Sequence, residues 1–370
     1  MKKLIAMLLA VMMVVALCAC GQTAAPAAAP AAEAPAAEAP AAEAAPAEEA
    51  APAAEEPAEK VGQTVLKCAF NQTIENPEAQ TLLWISDQLF DATEGRYSIE
   101  VYPSEQLGDQ ASSLETLMAG GIEMSLVANA IIEPYSKDFA IIGTPYVYDS
   151  LEHQLKVFES GKLSELFATT EAMGFTVLSA YSLGDRNLYL AKAPVAEGEV
   201  VGPDDVQGLK IRVMGSETCQ KMWGCMSGID GISMSQGDVY SAIQTGVLDG
   251  AENNIITYTD LVQYEVAPVY VYTGHLSVPD ELTINTAFLK TMSEADQAAL
   301  LDICNKSQSY FFELASNLRA DYAAKATAQG VTFFEADVPA FQALCQDLIA
   351  EKANVSELSQ SVYQAILECR

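Results

Sequence analysis

The sequence predicts an α/β protein with a mainly parallel sheet and one helix long enough to span two lobes. Between residues 61 and 370, strand-like and helix-like segments alternate, which is typical of βαβ units. Ser293 is followed by acidic residues and then by a helical pattern that continues towards Gln329. Because a helix of roughly 35 residues would be about 50 Å long, we expect it to extend across both lobes.

Short apolar runs alternate with helical patterns through this region, and no internal repeat interrupts them. In the first half, the spacing predicts strands at 64–71, 98–102 and 122–128, with helices at 77–92 and 109–119. In the second half, it predicts strands at 175–180, 187–190, 209–213, 269–273 and 281–285, with helices at 217–226 and 238–245. This alternation is the basis of the α/β prediction.

The first twenty residues have the features of a bacterial secretory signal. Lys2 and Lys3 supply the positive start, and residues 4–17 form an apolar run that is short for a transmembrane span. The run ends at Leu17-Cys18-Ala19-Cys20-Gly21, which resembles a bacterial lipobox. We therefore predict a lipoprotein signal peptide at 1–19 and lipidation of Cys20, which would anchor the protein to the outer face of the membrane. An ordinary signal peptidase site with incidental cysteines is the alternative.

A linker is predicted between the lipidated cysteine and the folded region, at residues 20–60. From Thr23 to Lys60 the chain consists mainly of Ala, Pro and Glu in near-repeats. Frequent proline breaks the helix that alanine favours, and the glutamates repel one another. We expect an extended tether that holds the folded region away from the membrane.

The 370-residue chain is strongly acidic, with 19 Lys and Arg against 50 Asp and Glu and a formal net charge of −31. A surface of this charge repels phosphate backbones, which argues against nucleic acid as a partner. Hydrophobic residues make up 50% of the chain, enough for one large or two medium cores. We expect a globular protein that does not bind nucleic acid.

Signatures of enzymes are missing from the sequence. It contains no Gly-x-Ser-x-Gly, no phosphate-binding Gly-x-x-x-x-Gly-Lys, no His-Glu-x-x-His and, after the signal, no Cys-x-x-Cys. The two histidines, His153 and His275, fit surface or packing positions better than catalysis. We therefore predict that the protein is not an enzyme and uses neither a cofactor nor a metal.

Six cysteines follow the linker, and their pairing stays open: Cys68, Cys219, Cys225, Cys304, Cys345 and Cys369. An even number permits disulfides outside the cytoplasm, but the spacings show no small-domain framework. Cys219 and Cys225 lie on opposite faces of one predicted helix, so they are poor partners for each other. Free, buried thiols are the favoured interpretation.

One arginine lies inside an apolar strand, in Gly208-Leu209-Lys210-Ile211-Arg212-Val213. A guanidinium in this position is costly unless it is paired, which suggests a fixed anionic partner. About thirty residues later comes the segment 237–253, Gly-Asp-Val-Tyr-Ser-Ala-Ile-Gln-Thr-Gly-Val-Leu-Asp-Gly-Ala-Glu-Asn. Together they resemble the solute-binding proteins of TRAP transporters, the dicarboxylate-binding, DctP-like family. Further matches in order are at 94–108, 144–146, 184–186 and 272–275.

The resemblance implies a two-lobed clamshell in which the two lobes share crossing strands and a long helix. It implies lobe I at about 61–188 and 277–316, and lobe II at about 189–276 and 317–370. It also implies that the lobes close around a small organic carboxylate and that the protein delivers it to TRAP membrane permease subunits. The location would be extracytoplasmic or periplasmic.

The resemblance further implies a set of ligand-binding residues. The family arginine that holds the ligand carboxylate corresponds to Arg212, whose planar guanidinium suits a carboxylate, and a more variable arginine corresponds to Arg186. Four other side chains are expected at the ligand: Asn253, Asn129, Gln236 and Gln72. Gln236 stands where the family often has an aromatic residue that stacks on the ligand, which points to a polar ligand. Glu252 is expected to support Arg212 or the backbone.

Two other classes of function stay open at this stage. A lipid-anchored sensor would use the same clamshell to signal to a receptor, and an extracytoplasmic hydrolase or lyase would turn its ligand over. The ligand itself also stays open, because dicarboxylates, sugar acids, keto acids and amino acids would all pair with one arginine.

Overall fold

The structure is a computed structural model, and it describes residues 60–229 and 231–370. The predicted signal peptide at 1–19 and most of the linker at 20–60 lie outside the described residues. Within the described part of the chain, no helix is both long enough and apolar enough to cross a membrane.

The strands of the described region follow the predicted order. They are β1 (Thr64–Ala69), β2 (Tyr97–Tyr102), β3 (Met124–Ala128), β4 (Phe175–Tyr181), β5 (Arg186–Leu190), β6 (Ile211–Val213), β7 (Ile232–Ser233), β8 (Gly250–Asn253), β9 (Val269–Leu276), β10 (Asp280–Asn285) and β11 (Thr332–Glu335). Every predicted strand coincides with one of these, apart from one to three residues at the ends. Sequence analysis did not identify three of them, the short strands β7, β8 and β11.

Helices connect and cover these strands. They are α1 (Pro77–Ala92), α2 (Gln110–Met118), α3 (Asn129–Ile132), α4 (Leu151–Glu159), α5 (Ser164–Ala168), α6 (Glu217–Ser227), α7 (Val239–Gln244), α8 (Ile255–Asp260), α9 (Thr286–Leu289), α10 (Glu294–Ala328), α11 (Val338–Leu344), α12 (Gln346–Ala353) and α13 (Glu357–Glu368). The predicted helix starts have local causes: Asn76 caps α1 ahead of Pro77, and Ser293 caps α10 by accepting the N–H of Asp296.

The strands form two sheets, each the centre of one lobe. The first sheet has the order β2-β1-β3-β10-β4, and the second has the order β11-β9-β5-β8-β6-β7. We call the elements packed around the first sheet the first lobe and those around the second sheet the second lobe. The chain passes from the first lobe to the second between β4 and β5, and it returns between β9 and β10.

The prediction of mainly parallel sheets needs correction, because both sheets are mixed. Among the described strands, five neighbouring pairs are parallel and four are antiparallel. All four antiparallel pairs involve β5 or β10, the two strands with which the chain enters a new lobe. A strand that arrives from the other lobe need not follow the right-handed crossover that makes neighbouring strands parallel within one lobe.

The long helix α10 contributes buried side chains to both lobes, as its predicted length requires. Leu300 and Phe311 pack in the core of the first lobe with strands β1 and β10. Nearer its end, Ala326 packs in a cluster of the second lobe that contains Tyr189 and Tyr270. The confirmed α/β fold is therefore two-lobed, with one helix that extends across both lobes.

The C-terminal helices differ from the predicted lobe II range of 317–370. Phe341 of α11 is buried in the core of the second lobe, as expected. Val362 and Ile366 of α13 instead pack in the core of the first lobe, and the carbonyl oxygen of Ile366 lies 2.8 Å from Nε2 of His153. The apolar face of α13 covers this core, so the chain crosses between the lobes once more than the sequence suggested.

The six cysteines of the folded region are not equally buried. Cys68, Cys219, Cys304 and Cys345 are buried free thiols, Cys369 is partly exposed, and Cys225 is exposed. Burial raises the pKa of Cys68 and that of Cys219 to about 12, which keeps both thiols protonated. The opposite exposure of Cys219 and Cys225 confirms that they occupy different faces of α6.

Candidate functional site

A cavity of about 170 Å³ lies between the two sheets and is lined by side chains from both lobes. The first lobe supplies residues that follow β1 and β2, together with the first residue of β10. The second lobe supplies residues from β5, β6 and β8 and from the segment after β7. Five of the six predicted site residues line it: Gln72, Arg186, Arg212, Gln236 and Asn253.

Arg212, the second residue of β6, is a buried cation with 4% of its surface exposed. Its Nε donates to the carbonyl oxygen of Met234 at 2.8 Å, and its Nη1 donates to Oε1 of Gln236 at 3.0 Å. Burial lowers the pKa of Arg212, and the charge of Glu252 offsets only part of that effect. Among the described residues, no carboxylate forms an ion pair with Arg212. Its charge is oriented by neutral oxygens and is not compensated by a direct partner.

Arg186, the first residue of β5, also lines the cavity but is compensated within the protein. Its Nη2 donates to Oε1 of Glu252 at 2.9 Å and to the carbonyl oxygen of the same residue at 2.8 Å, and its Nε completes a bidentate pair. Its Nη1 donates to Oδ1 of Asn253 at 2.7 Å. Four of the five N–H groups of the guanidinium are thus engaged. Most of its hydrogen-bonding capacity is used to hold β8 in place.

Glu252 is fully buried and pairs with Arg186, whereas we expected it to support Arg212 or the backbone. Burial alone would raise the pKa of Glu252, but Arg186 and the nearby His275 outweigh burial and lower it to about 2. For Arg186 the balance is similar: burial alone would lower its pKa, but the charge and hydrogen bonds of Glu252 raise it. The pair is therefore fully ionised at neutral pH.

A chain of hydrogen bonds joins the two arginines through amide side chains. Asn253 accepts from Arg186, and its Nδ2 donates to Oε1 of Gln236 at 3.3 Å, the oxygen that also accepts from Arg212. Nε2 of Gln236 is buried and has no hydrogen-bond partner among the described residues. The helix α8 is capped by Asn254, not by Asn253, so Asn253 is not a helix cap.

The two amides predicted from the first lobe have different positions. Gln72 lines the cavity, and its Oε1 accepts from Nδ2 of Asn76 at 3.2 Å. Asn129 does not line the cavity, which corrects the expectation that it enters the cleft. Its Nδ2 donates to the carbonyl oxygen of Phe139 at 2.9 Å, because the side chain turns towards the first lobe. The neighbours Ala128 and Ile131 line the cavity instead.

Sequence reasoning missed three carboxylates in the cavity: Glu105, Asp109 and Asp280. In a chain with 50 acidic residues, carboxylates carried no signal of their own. The one feature of the sequence that could have identified any of these carboxylates was the position of Glu105 inside the matched segment 94–108. Asp280 could not be identified in this way, since it reaches the cavity only because β10 returns to the first lobe at this point.

The cavity has the composition of a binding site. Its lining combines two arginines, three carboxylates, several amides and serines, and a few apolar side chains such as Met214 and Met234. No group of His, Cys, Asp or Glu side chains within the described residues is arranged to hold a metal ion. Such an arrangement can bind a small anionic molecule through a guanidinium and orient its polar groups.

Comparison with known proteins identifies bacterial solute-binding proteins as relatives of this chain. Residues 71–354 match the family model "Bacterial extracellular solute-binding protein, family 7", DctP. The chain is 30% identical over 308 residues to the uncharacterized protein YiiZ of Salmonella typhimurium, covering 82% of this chain and 91% of that protein. It is also 32% identical over 225 residues to a solute-binding protein of Chromohalobacter salexigens, covering 60% of this chain and 65% of that one.

Solved structures of similar proteins have the same fold. A TRAP periplasmic solute-binding protein of Anaerococcus prevotii with bound D-glucuronate is 29% identical, with a TM-score of 0.76, and the match covers 83% of this chain and 98% of that one. One of Chromohalobacter salexigens, also with bound D-glucuronate, is 26% identical, with a TM-score of 0.76 and coverage of 82% and 100%.

Proposed function

The chain belongs to bacterial extracellular solute-binding protein family 7, the family of TRAP solute-binding proteins, and from this premise we propose that it captures a small organic carboxylate between its lobes. It then delivers this ligand to TRAP membrane permease subunits. The protein acts as a transport component and not as an enzyme, and no cofactor takes part.

The observation that carries this proposal is the uncompensated charge of Arg212 in the cavity between the lobes. A buried charge without a partner costs several kcal/mol, and a bound carboxylate would provide that partner. The guanidinium is already oriented by Met234 and Gln236, so it need not reorganise when the ligand arrives. Arg212 is therefore our anchor for the ligand carboxylate, while Arg186, Asn253, Gln236 and Gln72 shape the surrounding site.

Closure of the lobes would strengthen this ion pair by excluding water from it. Two contacts between the lobes support such a closed form. The carboxylate of Glu105 lies against the backbone of Gly237, which lowers the pKa of Glu105 in part, although burial raises it overall. The carboxylate of Glu133 accepts from the N–H and the hydroxyl of Thr218 at 3.1 and 2.8 Å. We propose that both contacts form when the lobes close on the ligand.

We propose a division into lobes that follows the packing of the described residues. The first lobe comprises about 61–185, 277–316 and 354–370, and the second comprises about 186–276 and 317–353. The two sheets and the positions of Phe341 and Ile366 support this division.

The proposal extends to export and anchoring. The signal at 1–19 directs the protein out of the cytoplasm, and a lipid on Cys20 holds it at the outer face of the membrane through the linker at 20–60. Labelling of the full chain in bacteria with radioactive palmitate tests this. We expect Cys20→Ser to abolish the label and Cys18→Ser to retain it, whereas an ordinary signal peptidase site would leave all three proteins unlabelled.

The binding proposal is tested by a thermal-shift screen of the purified protein against organic acids and matched uncharged analogues. A carboxylate ligand at a concentration of about a thousand times its Kd should stabilise the protein by roughly 4 kcal/mol and raise its Tm by several degrees. Arg212→Ala should lose the shift, while Arg370→Ala, which removes an exposed arginine paired with Asp149, should retain it. An unchanged shift in Arg212→Ala would contradict the assigned anchor.

A sensor with the same fold is the second candidate. It would bind the same ligand with the same residues, so binding experiments do not separate it from a transport protein. Uptake of the labelled ligand by cells does: deletion of the gene should abolish uptake for a transport component and leave it unchanged for a sensor. Recovery of the intact ligand after prolonged incubation with the protein would argue against an enzyme.

A further inference from the structure

A second chamber adjoins the ligand cavity between the lobes, and we call it the outer chamber. Its volume is about 380 Å³, against about 170 Å³ for the ligand cavity. Both lobes line it: Asn71, Ser104 and Glu105 come from the first, and Tyr240, Val262 and Gln263 from the second. Ser104 and Val262 are exposed, so the chamber lies on the solvent side of the ligand cavity.

The boundary between the two volumes carries unpaired polar atoms. Asn71, Glu105 and Gln236 line both the ligand cavity and the outer chamber. Oδ1 of Asn71 is a buried acceptor and Nε2 of Gln236 is a buried donor, and neither has a hydrogen-bond partner among the described residues. Buried polar groups of native proteins are normally paired. The boundary therefore offers one acceptor and one donor to a polar group of a bound molecule.

The outer chamber combines apolar surface with another unpaired acceptor. Leu261, Val262 and Tyr240 line it, and the hydroxyl of Tyr240 donates to Oε2 of Glu265 at 2.7 Å. The side chain of Gln263 is 3% exposed, and its Oε1 has no hydrogen-bond partner within the described part of the chain. Such a surface suits a group that has an apolar face and a hydroxyl or N–H donor.

The backbone around the outer chamber is strained in three places. Five non-glycine residues of the described chain have a positive φ, and Ser104 (54°), Glu105 (59°) and Val262 (48°) are three of them. This conformation is especially unfavourable for a β-branched residue such as Val262. The N–H of Ser104 donates to the carbonyl oxygen of Gln72 at 2.8 Å, and that of Glu105 donates to the carbonyl oxygen of Phe70 at 3.1 Å. Strain that the surrounding structure maintains in this way is typical of binding sites.

Charge distinguishes the two volumes. Arg212 and Arg186 line the ligand cavity, whereas the described residues that line the outer chamber include no Lys, Arg or His. A carboxylate therefore has a cationic partner in the ligand cavity and none in the outer chamber. The outer chamber suits an uncharged group.

We infer that the ligand has two parts, a carboxylate-bearing unit in the ligand cavity and an uncharged second unit in the outer chamber. This inference rests on the proposed function, since it takes Arg212 as the carboxylate anchor. A polar link between the two units would pass Asn71 and Gln236 and pair with their buried amide atoms. The second unit would place its apolar face against Val262 and a donor towards Gln263. A glycosyl or N-acyl substituent on the acid has this chemistry.

Matched pairs of acids test this inference by isothermal titration calorimetry at pH 7.5, after co-purified ligand has been removed by unfolding and refolding. Both members of a pair share the carboxylate-bearing unit, and only one carries the extension. The pairs are D-gluconate with cellobionate or lactobionate, D-glucuronate with phenyl β-D-glucuronide, and acetate with hippurate. We expect the extended acid of at least one pair to bind at least tenfold more tightly than its short parent.

Variants of the outer chamber provide the second part of the test. Tyr240→Ala and Val262→Gly should each lower the ratio of the two Kd values of that pair at least fivefold. Glycine adopts a positive φ without strain, so Val262→Gly should fold. Tyr135→Ala is the matched control, because Tyr135 is an exposed tyrosine whose hydroxyl also contacts a glutamate, Glu115 at 3.3 Å. It lies outside both linings and should leave the ratio unchanged.

Two outcomes would overturn the inference alone. Binding of short acids that depends on Arg212, with no gain from any extension, would leave the proposed function intact and show that the ligand cavity holds the whole ligand. A gain that both Tyr240→Ala and Val262→Gly retain would place the second unit outside the outer chamber. If no acid of the panel binds in a manner that depends on Arg212, the proposed function fails, and the inference fails with it.

Discussion

Arg186 and Arg212 lie on the same sheet and line the same cavity, yet their surroundings differ in one respect. Arg186 forms a bidentate ion pair with the buried Glu252 and a hydrogen bond with Asn253. Arg212 is held by the neutral oxygens of Met234 and Gln236. A buried charge that is compensated within the chain contributes to the structure, whereas one that is only oriented remains available to a ligand. The comparison therefore supports the proposal that Arg186 is structural and that Arg212 binds the ligand.

Removal of Glu252, the carboxylate that pairs with Arg186, should have the largest effect on stability. Glu252→Ala would leave the charge of Arg186 buried and unpaired, which costs about 3–5 kcal/mol of the free energy of unfolding. Urea denaturation monitored by circular dichroism measures this loss. Because the pKa of Glu252 is lowered to about 2, its contribution is fully present above the pKa of about 4.3 in the unfolded chain. It disappears as the pH falls through about 2. A change below 1 kcal/mol at pH 7 would contradict the structural role of the pair.

Removing the uncompensated arginine should affect binding and not stability. We expect Arg212→Ala to raise the Kd of the carboxylate ligand at least a hundredfold, equivalent to about 3 kcal/mol. The unliganded variant should unfold at the same urea concentration as the parent protein or a higher one, since a buried unpaired charge has been removed. A stability loss as large as that of Glu252→Ala would show that the two arginines do not differ as proposed.

A conservative change at Arg186 should have a moderate effect. Arg186→Lys keeps the charge but loses the bidentate geometry and the hydrogen bond to Asn253, so we expect a loss of about 1–2 kcal/mol in unfolding free energy. Ligand affinity should fall less than in Arg212→Lys, where the bidentate contact to the ligand itself is lost. Calorimetric titration of both lysine variants compares the two sites directly. A larger loss of ligand affinity in Arg186→Lys than in Arg212→Lys would show that Arg186, and not Arg212, anchors the ligand carboxylate.

The smallest effect is expected at Glu281, a buried carboxyl outside the cavity lining. It is fully buried, and neither of its oxygens has a hydrogen-bond partner among the described residues. Burial and the charge of Asp280 raise the pKa of Glu281. A raised pKa means that stability is lost as the pH rises above the unfolded value, so Glu281→Gln should be stabilising by about 1 kcal/mol at pH 8. The gain should vanish near pH 4, and thermal unfolding at the two pH values measures the difference.

Much of the fold could be predicted from local patterns along the chain. The helix α1 starts at the predicted residue 77 and α10 starts after the predicted cap Ser293, because helix starts depend on side chains within a few residues, here Asn76 and Ser293. The sheets were harder to predict. The antiparallel pairing of β5 and β10 depends on where the chain crosses between the lobes, and the packing of α13 on the first lobe depends on contacts with residues about two hundred positions away.

The candidate site could also be predicted only in part from the sequence. Motif resemblance identified Arg212, Arg186, Asn253, Gln236 and Gln72, all of which line the cavity. It placed Asn129 there as well, although the side chain of Asn129 turns towards Phe139 and lies outside the lining. Asn129 does follow β3 directly, as the first residue of α3, but its side chain is oriented away from the cavity. The roles of these residues in binding stay predictions until the experiments above are done.

The sequence by itself determined the α/β class and the long helix, since these follow from local patterns and spacing, and the resemblance of its motifs to a known family pointed to the family and to the arginine of the Lys-Ile-Arg-Val strand. Only the tertiary structure decided which buried arginine is compensated and which carboxylates share the cavity. Glu252 lies 66 residues from Arg186, and Asp280 lies far along the chain from Glu105 and Asp109. Electrostatic interactions depend on distance in space and on burial, and neither can be read from separation along the chain.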